Sequence, residues 1–317
     1  MPFTLLVNNS KFETLYKILF YDFCLEIKNI VEKLLTKEFP IGIGGCRNHD
    51  FRYDCCEYDI TVFDEKNQND SILESDGFFF HIHHASLKET RPDILILYDN
   101  MITLFDEQWE LQTLLSTIKE KRKQLFNAYV KNCLVESQVC ITKATSGLGI
   151  DPYAGCWLNS SSYFIADAIC GIGLQQPAPT HMLKQLRELK KNKINEFISI
   201  LTESIGMERA TPSLLSRMLK STIGFSDMIE KNQHSMLISK KYNYMINHSL
   251  LSDCYFYLGY INRNNFFKIQ DLHKKPEFIH ILKTAFDLEI DASKIESQAN
   301  KLHETIDAII KLVHKSN

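Results

Sequence analysis

The sequence lacks any apolar run that approaches the ~20 residues needed by a membrane-spanning helix. Its first residues have no basic region before their short apolar run, so we expect no signal peptide. The nine cysteines form no CxxC pair, and several lie among apolar residues as small hydrophobic side chains do, such as Cys24, Cys133 and Cys170. These absences predict a soluble protein of the reducing cytoplasm, with no membrane partner.

An excess of either charge is also lacking, because 36 basic residues face 39 acidic ones and the net charge is −3. The charge balance therefore gives no general electrostatic argument for a nucleic-acid partner, although it does not exclude one. The G-x-S-x-G motif, the G-x-G-x-x-G motif and the lysine of a Walker loop are absent as well. These absences argue against serine hydrolases, dinucleotide-binding enzymes and P-loop ATPases.

The most informative segment is residues 40–63, PIGIGGCRNHDFRYDCCEYDITVF. A short apolar strand ends at Gly44-Gly45, and a second strand carries Glu57 and Asp59 on one face, because residues i and i+2 share a face. Two adjacent carboxylates repel each other and require a cation, and glycines allow a phosphate to approach the backbone. The segment predicts a site for a metal-bound nucleoside triphosphate. The alternative is an ordinary hairpin with a solvated acidic face.

This segment resembles the nucleotidyltransferase superfamily of the polymerase-β type. The matching elements are Ile43-Gly44-Gly45, a gap of eleven residues, and Glu57-Tyr58-Asp59-Ile60. Gly45 replaces a commoner serine, and Glu57 replaces a commoner aspartate. The resemblance implies that the two acids are catalytic and bind Mg²⁺ or Mn²⁺, and that Gly44 and Gly45 cradle the phosphates of an NTP, with ATP favoured. Arg47, His49 and Arg52 lie in the intervening loop, where they could contact the triphosphate or simply be solvated.

The predicted strand Phe78 to Ala85 contains three histidines where many members of this superfamily carry a third acid. His81 and His83 share one face, and His84 lies on the other. Three interpretations are open. The histidines are ordinary hydrogen-bonded strand residues, or they are metal ligands that favour Mn²⁺ over Mg²⁺, or they indicate that the site is inactive. A structural zinc site is a further alternative, but none of its candidate ligands has standard spacing, and adjacent Cys55 and Cys56 would point apart in an extended chain. Those candidates are Cys46, His49, Cys55, Cys56, His81 and His83.

The predicted fold class is α+β, with a small mixed-sheet nucleotidyltransferase core in residues 1–105 and an all-α helical bundle in residues 106–317. A capping box at Ser10 to Glu13 starts a helix that ends before Pro40, and Asp93 to Tyr98 reads as a fourth strand. The second half is similar to the helical domain of the kanamycin-nucleotidyltransferase type. Its predicted helices are Glu107 to Thr142, Ser160 to Ile172, one after Thr180, one from Thr211-Pro212, Ser239 to Ile261, Lys275 to Phe286, and one after Asp291.

The resemblance implies transfer of a nucleoside monophosphate from an NTP to a hydroxyl of a small molecule, a protein or an RNA end, in a cleft between the two parts. The near-neutral charge favours a small-molecule acceptor. Glu136 and Asp167 are candidates for the general base. The alternative is a catalytically inactive nucleotide-binding or antitoxin-like interaction protein. Aromatic residues of the second half, such as Tyr255 and Tyr257, could form a homodimer interface, but burial in the chain's own core is favoured.

Overall fold

The chain has an α+β fold in which a mixed β-sheet is followed by a long series of helices, seen in a computed structural model. No helix within the described part of the chain is long and apolar enough to cross a membrane. The structure describes residues 27–33, 35, 38–49, 51–66, 68–189, 195–229, 234–269, 275, 278–289 and 291–315.

The sheet has five strands within the described residues, in the order β3-β4-β2-β1-β5. They are β1 (Ile41–Gly44), β2 (Tyr58–Val62), β3 (Ser71–Ser75), β4 (Phe78–His84) and β5 (Ile102–Phe105). β2 and β4 run parallel, and the other neighbours run antiparallel. The register places Gly44 opposite Asp59 and Asp59 opposite His81, with Thr61 opposite His83 in the next row of the same face. The pairing thus assembles the predicted site residues across three strands.

The two faces of the sheet differ in polarity because the strands alternate apolar and polar side chains. One face packs against helix α1 (residues 27–33) to form a small core. That core includes Ile27, Ile30, Val31, Ile41, Ile43, Tyr58, Ile60, Val62, Phe80 and Ile82. The other face carries Asp59, Thr61, His81 and His83, so the predicted division of β2 into an apolar and a polar face is confirmed.

The helical part forms a separate and larger core, and almost every residue of its helix Ala154–Ile172 is buried. The members of this core also include Tyr255 and Tyr257, so these aromatic rings are buried within their own chain. The helices are α2 (Pro92–Leu95), α3 (Glu110–Glu120), α4 (Arg122–Ser146), α5 (Ala154–Ile172), α6 (Met182–Glu188), α7 (Asn195–Ser204), α8 (Pro212–Ile229), α9 (His234–Asn247), α10 (Leu251–Phe267), α11 (Phe278–Ala285) and α12 (Ala292–Lys315).

The predicted strand Asp93 to Tyr98 is wrong, because this segment is helix α2 followed by a 3₁₀ turn at Ile96–Tyr98. Pro92 occupies the first helical position, where its fixed φ favours the helix, and Leu95 N–H donates to Arg91 O at 3.0 Å. A short apolar run cannot by itself distinguish a strand from a buried helix. The two remaining strands of the sheet are β3 and β5, and the sequence analysis predicted neither of them.

Two long predicted helices are each divided in the structure. Glu107 to Thr142 is interrupted at Lys121, whose φ of −94° and ψ of 10° separate α3 from α4. Ser239 to Ile261 is interrupted near Ser249, which has a φ of +57° and separates α9 from α10. The predicted helices after Thr180, from Thr211-Pro212 and after Asp291 are present as α6, α8 and α12. The capping box at Ser10 to Glu13 lies outside the described residues.

Candidate functional site

A cavity of about 590 Å³ lies between the polar face of the sheet and the helical part. The sheet side contributes the turn after β1 and the polar side chains of β2 and β4, and the helical side contributes α9, α10 and residues 176–181. Its lining includes Gly44, Gly45, Glu57, Asp59, Asp70, His81, His83, His234, Lys241, Asn264 and Lys268. Both halves of the chain therefore form one concave site.

Asp59, His81 and His83 converge within this cavity. Oδ1 of Asp59 lies 3.6 Å from Nδ1 of His81 and 3.5 Å from Nε2 of His83, and the centroids of the two imidazoles are 3.9 Å apart. One ligand atom from each side chain lies within 4.8 Å of the other two. Ligands of a transition metal sit ~2 Å from the ion, so three groups at this spacing can reach a common ion after small adjustments.

Asp70 is a fourth member of this group that the sequence analysis did not identify. Its Oδ2 accepts a hydrogen bond from Nδ1 of His83 at 2.9 Å and lies 3.5 Å from Nε2 of His81. The hydrogen bond from Nδ1 of His83 to Asp70 orients the imidazole ring so that its Nε2 faces Asp59. Asp70 directly precedes β3, and the sequence pattern indicated only a polar turn there.

The pKa values in this cluster reflect mutual neutralisation. Burial opposes the charged form of Asp59, but hydrogen bonds from His81 and His83 hold its pKa well below the usual range. Burial also disfavours the imidazolium of His83, yet the carboxylates of Asp59 and Asp70 raise its pKa to about 10. The pKa of His81 is raised by the same two carboxylates against the effect of burial. Without a metal ion, the protonated His83 therefore helps to balance the charges of the two acids.

Gly45 is required by the position of the Asp59 carboxylate. The φ of Gly45 is +72°, in the region that glycine adopts most readily, and a Cβ at this position would overlap Oδ2 of Asp59. The missing side chain thus allows the acid to lie directly against the turn. The predicted proximity of the glycine turn and the acidic strand is present in the structure.

Glu57 lines the same cavity but has a different cationic partner. Its Oε1 accepts a hydrogen bond from Nζ of Lys241, on α9, at 2.6 Å, and both side chains are buried. Burial disfavours the charged lysine, but the Glu57 carboxylate raises the pKa of Lys241 well above its usual value. Oε2 of Glu57 has no hydrogen-bond partner among the residues that the structure describes. Metal binding by Glu57 stays a prediction, since it is not part of the three-residue cluster.

The two loop arginines do not belong to the cavity lining. Arg47 donates to Cys56 O at 2.9 Å and to Asp54 O at 3.0 Å, and its guanidinium lies 4.7 Å from the centroid of the Tyr58 ring. Arg52 is exposed on the same loop. The basic side chains that do line the cavity include His49, Arg91, Lys241 and Lys268. Most of these come from regions of the sequence without a recognisable phosphate-binding motif.

The two candidates for the general base also lie outside the cavity lining. Glu136 is exposed on α4. Asp167 is buried in the helical core, where its Oδ2 accepts a hydrogen bond from Arg263 at 2.6 Å and its Oδ1 accepts one from Tyr260 at 2.8 Å. Burial raises the pKa of Asp167, opposed by the charge of Arg263. Asp167 is therefore a partner in a buried ion pair, and the proposal that either acid acts as the base has no geometric support.

The fold and the site define an α+β protein with one carboxylate and two imidazoles converging in a cavity between its sheet and its helices. No protein-family model matches the sequence. No curated protein matches it at a significant level. The comparisons therefore assign neither a family nor an activity, and the chemistry of the cavity is the basis for a functional proposal.

Proposed function

We propose that the chain is a metal-dependent nucleotidyltransferase that binds a divalent ion and an NTP, with ATP favoured, in the cavity between the sheet and the helices. The observation that carries this proposal is the convergence of Asp59, His81 and His83 beside the Gly44-Gly45 turn. The reaction transfers a nucleoside monophosphate to an acceptor hydroxyl. A small-molecule acceptor is favoured, because the site is a cavity rather than a basic surface stripe.

The donor set indicates the kind of ion. Two imidazole nitrogens and one carboxylate oxygen suit Mn²⁺ or a similar transition metal better than Mg²⁺, which prefers oxygen ligands. Asp70 holds His83 in the orientation that directs Nε2 toward Asp59. A divalent ion at this position supplies positive charge to the phosphate oxygens during transfer. Oε2 of Glu57 is available to a second ion, as the resemblance to the superfamily implies.

The rest of the cavity suits a polyphosphate and an acceptor. The backbone of Gly44 and Gly45 lies at its wall, and Lys268 adds positive charge, whereas the charges of Arg91 and Lys241 are paired with Glu89 and Glu57. In the proposed reaction the acceptor oxygen forms a bond to the α-phosphorus, the bond from that phosphorus to the bridging oxygen breaks, and pyrophosphate leaves. The hydroxyl proton passes to solvent or to a carboxylate of the cavity. The helical wall, formed by α9 and α10, is where the acceptor would bind.

The test is an assay of the full chain with α-labelled ATP, Mg²⁺ or Mn²⁺, and a panel of hydroxyl acceptors. We expect pyrophosphate release that is faster with Mn²⁺ and that falls by roughly 100-fold or more in Asp59→Asn and in the double variant His81→Gln/His83→Gln. His280→Gln is the matched control, because this histidine is exposed on α11 and does not line the cavity. Equal release by Asp59→Asn and the wild type would exclude the proposed site.

A second candidate function is a catalytically silent nucleotide-binding or antitoxin-like interaction protein. The observation in its favour is that each carboxylate already has a cationic partner from the protein, Lys241 for Glu57, and His81 and His83 for Asp59. Calorimetric titration with ATP in the presence of EDTA distinguishes the two functions. Metal-independent binding, with no pyrophosphate release under either metal, would favour the silent function.

A further inference from the structure

A second cluster of ligating side chains lies where the sheet meets the start of α6. Cys46 directly follows Gly45, Cys56 lies two residues before β2, and His181 directly precedes α6. All three are shielded from solvent, with exposed fractions of 9%, 1% and 0% respectively. The fold thus brings together two thiols from the loop between β1 and β2 and one imidazole from the helical part.

The spacing of these groups suits a tetrahedral metal ion. Sγ of Cys56 lies 3.1 Å from Nε2 of His181, and one ligand atom from each of the three residues lies within 4.8 Å of the others. Zinc ligands about 2.0–2.3 Å from the ion, at tetrahedral angles, lie roughly 3.3–3.8 Å from one another. Small side-chain adjustments would therefore place all three on one ion. Two thiolates and an imidazole form a donor set that Zn²⁺ prefers over Mg²⁺ or Mn²⁺.

The surroundings of His181 also call for a strong polar partner. Its ring packs against Phe51 and Tyr53, with centroid distances of 5.1 Å and 4.3 Å. Its Nδ1 is buried and has no hydrogen-bond partner among the residues that the structure describes. Burying a polar ring in this way is costly unless a strong interaction compensates. A thiol is a weak hydrogen-bonding partner for Nε2, whereas a metal ion would be a strong one, and Nδ1 gains no partner from either.

We propose that Cys46, Cys56 and His181 bind a zinc ion, with a fourth coordination position open to the cavity. The open position follows because Cys46 and His181 both line the cavity. Cys55 is not among the ligand atoms that lie within 4.8 Å of one another, so it is not a ligand in this proposal. The ion would link Cys46 and Cys56, the neighbours of Gly45 and Glu57, to His181 at the start of α6. It would therefore hold the glycine turn and the acidic strand against the helical part. This inference does not rest on the proposed function.

The test begins with the metal content of the full chain, purified without chelators and with its thiols reduced. We expect inductively coupled plasma mass spectrometry to find about one zinc ion per chain in the wild type. The variants Cys46→Ser, Cys56→Ser and His181→Gln should contain almost none. Cys140→Ala is the matched control, because this cysteine is buried in α4 away from the cluster. Asp59→Asn must also retain zinc, which separates this site from the Asp59 cluster. Cys55→Ala must retain zinc as well, because a loss of zinc from this variant would overturn the three-ligand assignment.

A second measurement uses the wild type and does not depend on how the variants fold. Replacement of zinc by Co²⁺ should give a thiolate-to-cobalt charge-transfer band of the intensity expected for two thiolates. Bound zinc should also slow the alkylation of Cys46 and Cys56 by iodoacetamide. The proposal would be overturned if the reduced wild type takes up neither zinc nor cobalt, or if Cys46→Ser keeps its zinc. It would also be overturned if the protein isolated from cells carries a Cys46–Cys56 disulfide.

Discussion

At the scale of single residues, the requirement for glycine at position 45 and the position of the Asp59 carboxylate depend on each other. The backbone of Gly45, with a φ of +72° and a ψ of −168°, lies in a region that essentially only glycine adopts. Here a second constraint applies, because any Cβ would overlap the Asp59 carboxylate. The glycine therefore determines where the acid can lie, and the acid's position places it within reach of His81 and His83.

Replacement of Gly45 by alanine tests this dependence. We expect Gly45→Ala to destabilise the fold by roughly 1 kcal/mol or more from backbone strain and to displace the Asp59 carboxylate, so that Mn²⁺ binding weakens strongly. Gly77→Ala is a matched control, because Gly77 has a φ of +78° and nothing within 4 Å of the added Cβ. The control should show a similar strain cost with unchanged Mn²⁺ affinity. Denaturant unfolding and calorimetric titration measure the two effects, and unchanged affinity in Gly45→Ala would contradict the prediction.

The proposed role of Asp70 is to orient the imidazoles, and this role can be tested separately from that of the proposed metal ligands. Asp70→Asn keeps the size of the side chain but weakens its hold on His83, so we expect Mn²⁺ affinity to fall by about 10–100-fold. The control is Asp76→Asn, at an exposed aspartate in the turn between β3 and β4. Titration with Mn²⁺, followed by calorimetry, measures the difference. Equal affinities in the two variants would show that Asp70 does not position the ligands.

At the scale of elements, the Glu57–Lys241 pair links the start of β2 to α9 across the cavity. Its two charges are buried, and a buried charge left without its partner is far more costly than the intact pair. The pair therefore gives little net stability but strongly favours this docking of α9 over alternatives. Its partners are 184 residues apart in the sequence.

A double-mutant cycle measures this coupling. We expect Glu57→Gln or Lys241→Met to destabilise the fold by about 3–5 kcal/mol each, and the double variant to cost much less than the sum. Lys301→Ala is the control, because its pair with Glu203 is exposed, and its loss should cost about 1 kcal/mol or less. Denaturant unfolding gives the four free energies of the cycle and that of the control variant. Additive costs at Glu57 and Lys241 would mean that the pair is not coupled in solution.

The elements that the sequence pattern failed to predict are those with weak local signals. β3 has one buried residue, Ile72, and lies at the edge of the sheet, so its pattern resembles a polar loop. β5 is a short strand at the opposite edge. By contrast, β1 and β2 have a fully buried face, β4 buries Phe80 and Ile82, and all three strands were predicted close to their observed positions. An edge strand forms because it pairs with a neighbouring strand, even where its own alternation of apolar and polar residues is weak.

At the scale of the whole molecule, the cavity exists only because the sheet and the helical part meet. Ligands bound there should reduce the amide hydrogen exchange of both walls at once, since exchange requires local opening that a ligand opposes. We expect Mn²⁺ with ATP to protect β2, β4, α9 and α10. α12 serves as an internal control because it does not line the cavity. Exchange measured by mass spectrometry checks this, and protection confined to the sheet would contradict a shared site.

Features that depend only on neighbouring residues could be predicted from the sequence. The alternation in β2 placed Glu57 and Asp59 on one face, and the double glycine indicated a turn beside them. The pattern could not identify Asp70 as the partner of His83 or Lys241 as the partner of Glu57. It also could not show that Cys46, Cys56 and His181 lie together. Local periodicity determines which face a side chain occupies, because this depends on backbone geometry over a few residues. The identity of the group opposite that side chain depends on strand register and helix docking, which are set by contacts between distant parts of the folded chain.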